Sequence, residues 1–401
     1  INCRYRYRRY QPYCRIFFME RKIGKLGLSP ITATDFSHSG NPGKTGGPEY
    51  YLGDKLNLNI VYSVYHSGKT KEEIAEELGM TPVYLEDRIH FLESNGFLVP
   101  TAGNRFTTYV RFEPETFSME LEEKTVKTKL SMADVLVKEY VPTVRQAIAD
   151  VADVYIPSGN RELLEAAAIF YGVVNKCCIS MNRNLSKYYI KTTAGGDFIA
   201  CVGRKSEQSD PEYKRTLKTP SYWFCGNMVR DSGKYPAVYS WSIDSRNCSR
   251  QGHWQNNLTS DYEYVYEFLK GMLSDNMANA EKFARLKERK FLSEDNKVNI
   301  MMVKGASEAF FSRIPELDEE LKKKFAQAAL EIAMINVKNY PPQMQDLVVS
   351  WGVEGFINGD VALMVMDILY RDGTFRPLTE NEKITADLIM FSDILPPQSP
   401  Q

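Results

Sequence analysis

Residues 70–99 read T-K-E-E-I-A-E-E-L-G-M-T-P-V-Y-L-E-D-R-I-H-F-L-E-S-N-G-F-L-V, and the caps and stops within them decide the local fold. Thr70 and Glu73 stand at capping-box spacing, where the threonine hydroxyl accepts from the Glu73 amide and the carboxylate accepts from the Thr70 amide. Ile74, Ala75 and Leu78 share one helical face, and Gly79 can take the left-handed conformation that ends a helix. Thr81 can cap a second helix with Pro82 at its first position, where a missing amide proton costs nothing. Leu85, Ile89 and Leu92 give that helix its apolar stripe, up to Asn95-Gly96.

Working outward, Leu56, Ile60, Val61 and Val64 predict a helix from Asp54 to Ser67-Gly68. Phe97-Leu98-Val99, a turn at Thr101–Asn104 and Phe106–Phe112 predict a hairpin. Two helices joined by so short a turn cross steeply, leaving the second free to project. This order of cap, helix, glycine, capped helix and hairpin resembles the DNA-reading domain of winged-helix regulators of the ArsR and MarR kind. It is also similar to sigma-factor-like helix-turn-helix proteins of gut anaerobes. The resemblance covers about 60 residues and implies a bacterial-type transcriptional regulator that reads double-stranded DNA. It also implies where contacts fall: Thr81, Tyr84, Asp87, Arg88 and Phe91 on the helix at 81–95, Lys69 and Lys71 near the preceding helix, and Arg105 in the wing at 97–112. Arg88 has the chemistry to chelate a guanine edge and Arg105 to enter a minor groove. Glu86 and Asp87 depart from the pattern, because carboxylates repel phosphates. That departure keeps an alternative open, an adaptor docking on RNA polymerase or another protein without specific DNA reading.

The whole chain is not an electrostatic glove for nucleic acid: its net charge is −1 and its pI about 6.6. DNA affinity must be local. Residues 1–25 hold eight Lys or Arg against Glu20 alone, with Tyr5, Tyr7, Tyr10 and Tyr13 interleaved, which suits an arm for phosphates and bases. The competing expectation is that the native protein starts at Met19. Around Gly43-Lys44-Thr45, a phosphate loop fails on spacing, since His38 stands where the first glycine belongs. A flexible linker is expected there instead. With 43% hydrophobic and 25% charged residues, and no apolar run of about 18 residues, the expectation is a soluble protein with no membrane partner. Seven cysteines without a C-x-x-C pair point to reduced thiols and a cytoplasmic setting, and four histidines without ligand spacing to no metal.

Behind the module, the charged run Glu113–Thr128 marks a boundary. Helices are expected at 131–154 and 159–177, the latter buried or a dimer face. Strands are expected at 187–192, 198–202, 221–225 and 237–243, making one antiparallel sheet, followed by helices at 262–273 and 276–289, a strand at 298–303, and helices at 315–338, 360–370 and 379–391. The fold class is therefore α+β: an N-terminal winged helix-turn-helix domain at 54–113, after a basic stretch and flexible linker at 1–53, then a larger α+β domain at 126–401 with an antiparallel sheet and a helical C-terminus. This second region would sense or oligomerise. Tyr222, Trp223, Tyr239 and Trp241 offer aromatic walls for a small-molecule effector, although core packing explains the same residues. Cys177 and Cys178 on an apolar helix read as inert core or as a redox sensor. Residues 280–303 outline a degenerate second winged helix. A homodimer would match half-site reading. No nucleophile elbow, dinucleotide fingerprint or H-E-x-x-H is present, so neither an enzyme nor a cofactor is expected.

Overall fold

Helix and strand mix throughout the computed structural model, which describes residue 31 and residues 33–114, 118–179, 181, 184–204, 226–230, 233–242, 258–357 and 361–397. The chain divides into two units, 1–124 with 180–217 and 329–353, and 125–179 with 218–328 and 354–401. Each unit is assembled from segments that interleave along the chain.

In the first unit, strand β1 (Ala33–Asn41) and helix α1 (Pro48–Leu52) occupy the stretch expected to be a flexible linker. Helix α2 (Lys55–Ser63) starts where Asp54 accepts from the Leu56 and Asn57 amides at 2.8 and 3.4 Å. Helix α3 (Lys71–Leu78) carries the complete Thr70–Glu73 capping box and stops at Gly79, φ +64°. Helix α4 (Pro82–Ser94) begins after Thr81, whose hydroxyl makes no cap bond. Leu85, Ile89 and Leu92 are buried, each worth about 1.5–3 kcal/mol in apolar burial. Strands β2 (Val99–Thr101) and β3 (Arg105–Thr107) form the hairpin, with Asn104 left-handed in its turn. Lys69, between α2 and α3, adds a bridge to its inner edge: its amide donates to Phe106 O at 3.1 Å and its carbonyl accepts from Phe106 N at 2.8 Å.

The second hairpin strand is shorter than expected. After Thr107 the chain turns away, and β4 (Arg111–Phe112) joins another sheet. There strand Asp197–Arg204 is central, antiparallel to β1 from Ala33↔Arg204 to Asn41↔Asp197, parallel to β4, and antiparallel to Ile190–Lys191. One core joins this sheet to the helices, from Val61, Ile74 and Leu92 to Phe198, Val202, Met344 and Leu347.

The second unit has a five-stranded sheet ordered 154–155, 301–304, 388–392, 237–242, 226–230. Strands 301–304 and 388–392 are parallel, Met301↔Ile389 to Lys304↔Ser392, and the other pairs antiparallel. Of the strands expected in one antiparallel sheet, those at 187–192 and 198–202 fall in the first unit's sheet and that at 237–243 in the second's, while 221–225 lies outside the described residues; each sheet contains a parallel pair. The C-terminus also differs, because the expected helix 379–391 is a helix only over Glu380–Thr385. It continues as the buried strand Leu388–Ser392. The expected turn-like boundary at 113–128 is largely helix, Met119–Val135. Pro142 falls inside the following helical run and lacks the amide that would close a normal turn. The wide turn Leu136–Tyr140 precedes it. In 280–303, helix Ala280–Glu288 and a bridge Leu292↔Val298 are present, and Met301–Lys304 belongs to the five-stranded sheet.

Candidate functional site

The surface nominated for DNA reading consists of α4, the residues around α3 and the hairpin. Its four named cations are all held by carboxylates of the same unit. Lys69 Nζ donates to Ser63 O at 2.6 Å and pairs with Glu77, whose side chain is buried. Lys71 Nζ meets Glu86 Oε1 at 2.7 Å, and that hydrogen bond raises the lysine above its ordinary pKa.

Arg88 turns toward α2, with Nη1 donating to Asp54 Oδ2 at 3.0 Å and Asn57 Oδ1 at 3.2 Å. Its reach is fixed by Asn57, a buried residue whose amide group donates to Tyr51 O at 2.9 Å. Burial works to raise the Asp54 carboxyl; the Leu56 and Asn57 amides and Arg88 outweigh it and hold it below the usual range.

Arg105 forks onto Glu73, with Nη1 and Nη2 at 2.7 and 2.8 Å, and Nη1 also reaches Gly68 O at 2.6 Å. Glu73 therefore serves the Thr70 amide and the hairpin together. The Thr70 amide first, then Arg105, lower its pKa. Arg88 and Arg105, the residues expected at base edges, make internal ion pairs in this structure. Both are turned onto acids that lie 34 and 32 residues away in sequence.

What α4 does present outward is apolar and acidic. Val83 and Tyr84 are 72% and 73% exposed, Thr81 and Asp87 are also exposed, and no ion pair of Asp87 exists among the described residues. Phe91 is half-buried and stacks on Tyr51 at 5.8 Å. Over residues 54–112 there are six Lys or Arg against eight Asp or Glu, a net charge of −2. Phosphate binding requires the opposite sign.

The four residues expected to wall an effector pocket are described only in part. Tyr222 and Trp223 lie outside the described residues. Tyr239 and Trp241 are buried in packed aromatic core: Trp241 is 4.9 Å from Phe170, and Tyr239 is 5.5 Å from Tyr171 and 5.4 Å from Phe311. Side chains alternate along strand 237–242, so Val238 enters the opposite core with Tyr262, Leu388 and Met390. Cys177 is buried and its thiol pushed up in pKa by that burial, while Cys178 is exposed. The helix Glu162–Tyr171 that precedes them is buried along most of its length.

One grouping had no signal in local spacing. Arg111 of β4 lies between Tyr340 and Trp351, with its guanidinium carbon 5.5 and 5.6 Å from their ring centres. Among the described residues no group of three or more His, Cys, Asp or Glu is placed to hold a metal ion, and no helix is long and apolar enough to cross a membrane. No family model, curated protein or solved structure matches the chain.

Proposed function

We propose that residues 54–112 form a winged helix-turn-helix used as an adaptor, docking through the outward face of α4 on a protein partner with a basic, partly apolar surface. The observation that carries this reading is the composition of that face. Val83 and Tyr84 stand in solvent beside Asp87 and Glu86, while Lys69, Lys71, Arg88 and Arg105 are each committed to a carboxylate. Exposed aromatic and aliphatic groups are the anchors of protein interfaces, and charge complementarity sets the partner's sign. RNA polymerase is the partner to test first, because the sequence resembles transcription regulators. The experiment is binding of purified polymerase to the full chain, with Val83→Asp and Tyr84→Asp. Saturable binding lost in both variants supports the adaptor, and unchanged binding in both refutes it.

A second reading, the DNA-binding transcriptional regulator with a sensing or oligomerising region, is favoured by two observations. α3 and α4 are joined by a short turn and followed by a hairpin, and residues 1–25 carry a strong basic excess. In that reading the arm supplies the phosphate contacts and α4 the base contacts. Recovery of a shared genomic sequence by the full chain, lost in Tyr84→Ala, would establish it over the adaptor.

A further inference from the structure

The cations of the helix-turn-helix do not use up its acids. Over residues 44–95 there are nine Asp or Glu against five Lys or Arg, a net charge of −4. Glu49, Glu72, Glu76 and Asp87 are exposed, and none of them makes an ion pair among the described residues. On α4 this charge sits among aromatic rings. Asp87 follows Tyr84 by three residues and precedes Phe91 by four, so the three share one side of the helix. Phe91 stacks on Tyr51 at 5.8 Å, and the neighbouring Tyr50 is 59% exposed. A ligand for such a face is basic and aromatic at once.

The chain itself contains such a segment. Residues 1–25 lie outside the described residues, and their sequence carries eight Lys or Arg against Glu20 alone, with Tyr5, Tyr7, Tyr10 and Tyr13 interleaved. Six residues further on, Ile31 is buried, and its amide donates to Asn59 Oδ1 of α2 at 3.0 Å. α2 is tied to α4 through Arg88. Packed helices lie about 8–10 Å apart and are about 10–12 Å thick, which puts the far side of α4 about 15 Å from the α2 axis. Six extended residues span about 20 Å, so the basic segment is within reach of that face. We infer that residues 1–25 are an intramolecular ligand for the outward side of α4, with their cations opposite Asp87 and the nearby acids and their tyrosines against Tyr84 and Phe91. The inference rests on the adaptor reading and adds a regulation to it: the chain covers its own docking face until a partner displaces the arm. A short tether gives an effective concentration of about 1 mM. A segment that binds in trans with a Kd of about 100 μM then occupies its site about nine-tenths of the time and weakens an outside ligand about tenfold.

The test measures anisotropy of a fluorescent peptide of residues 1–25 titrated with two full-length proteins, the wild type and a chain carrying Arg4→Gln, Arg6→Gln, Arg8→Gln and Arg9→Gln. The expected result is saturable binding to the neutralised chain and about tenfold weaker binding to the wild type, whose own arm competes. Adding Asp87→Lys or Tyr84→Ala to the neutralised chain weakens the peptide by about tenfold, and raised salt weakens it further. No saturable binding to the neutralised chain overturns the inference. So does equal affinity for the two proteins, or affinity unchanged by both Asp87→Lys and Tyr84→Ala. Polymerase binding to the same two proteins reports on the adaptor separately. If polymerase binds both equally, the adaptor stands and the arm is overturned; if the peptide behaves as expected and polymerase binds neither, the arm stands and the adaptor loses that partner.

Discussion

Arg105→Ala separates an internal latch from a nucleic-acid contact. In the structure Arg105 makes two charge-assisted bonds to Glu73 and one to the Gly68 carbonyl. Both side chains of the ion pair are 43% exposed, so the pair is credited with about 0.2–1 kcal/mol after solvent screening. The carbonyl bond adds about 0.5–1.5 kcal/mol. Removing the side chain is therefore expected to cost about 1–2 kcal/mol in urea unfolding of the full chain. A double-mutant cycle with Glu73→Gln isolates the pair and is expected to show coupling of about 0.5–1 kcal/mol. A groove-reading arginine would behave differently: its loss would leave stability within about 0.5 kcal/mol and weaken DNA binding. Unchanged stability together with zero coupling to Glu73 would refute the latch.

Thr70→Ala is expected to lower stability by about 1 kcal/mol because it removes a working cap, while Thr81→Ala is expected to be near neutral because the Thr81 hydroxyl caps nothing; thermal melts of the two variants check the contrast. Glu382 is raised by burial, but the Arg376 fork and the Thr379 contacts outweigh this and hold it at about 2, below the ordinary 4.5. Its folded pKa is depressed, so its stabilisation is present above pH 4.5 and lost as pH falls toward about 2; with Arg376 half-exposed we expect about 2 kcal/mol, flattened in Glu382→Gln during acid titration of stability. Gly40 has φ +119°, and a Cβ there would stand 2.5 Å from Asp197 O, so Gly40→Ala is expected to cost about 1–3 kcal/mol in denaturant melts.

The helical part of the first unit was legible because its signals are local. Asp54, Thr70, Glu73, Gly79 and Pro82 each act within four residues, and each stands at the end of the helix it was assigned. Strand Leu388–Ser392 has no such local signal, because a short apolar run has no period of its own. Its strand state is set by pairing with Met301–Lys304 and Ala237–Ser242, far away in sequence. β1 was hidden by the glycine-rich run that follows it, and Gly40 inside the strand looked like linker material. The directions of Arg88 and Arg105 were equally hidden, since Asp54 and Glu73 become their neighbours only once α2, α3 and the hairpin assemble. Tyr340 stands 229 residues from Arg111, a separation at which no local pattern links two side chains.

The most direct test of the central claim is the salt dependence of double-stranded DNA affinity for the full chain, compared with an Arg88→Gln, Arg105→Gln double variant that retains its fold. If both arginines released counterions from phosphates, the slope of log K against log salt would shrink by about 1.8 in the variant. The account predicts the same slope in both proteins, because these cations already face Asp54 and Glu73. A loss of about two units of slope would contradict it and return the surface of α4 and the hairpin to DNA reading.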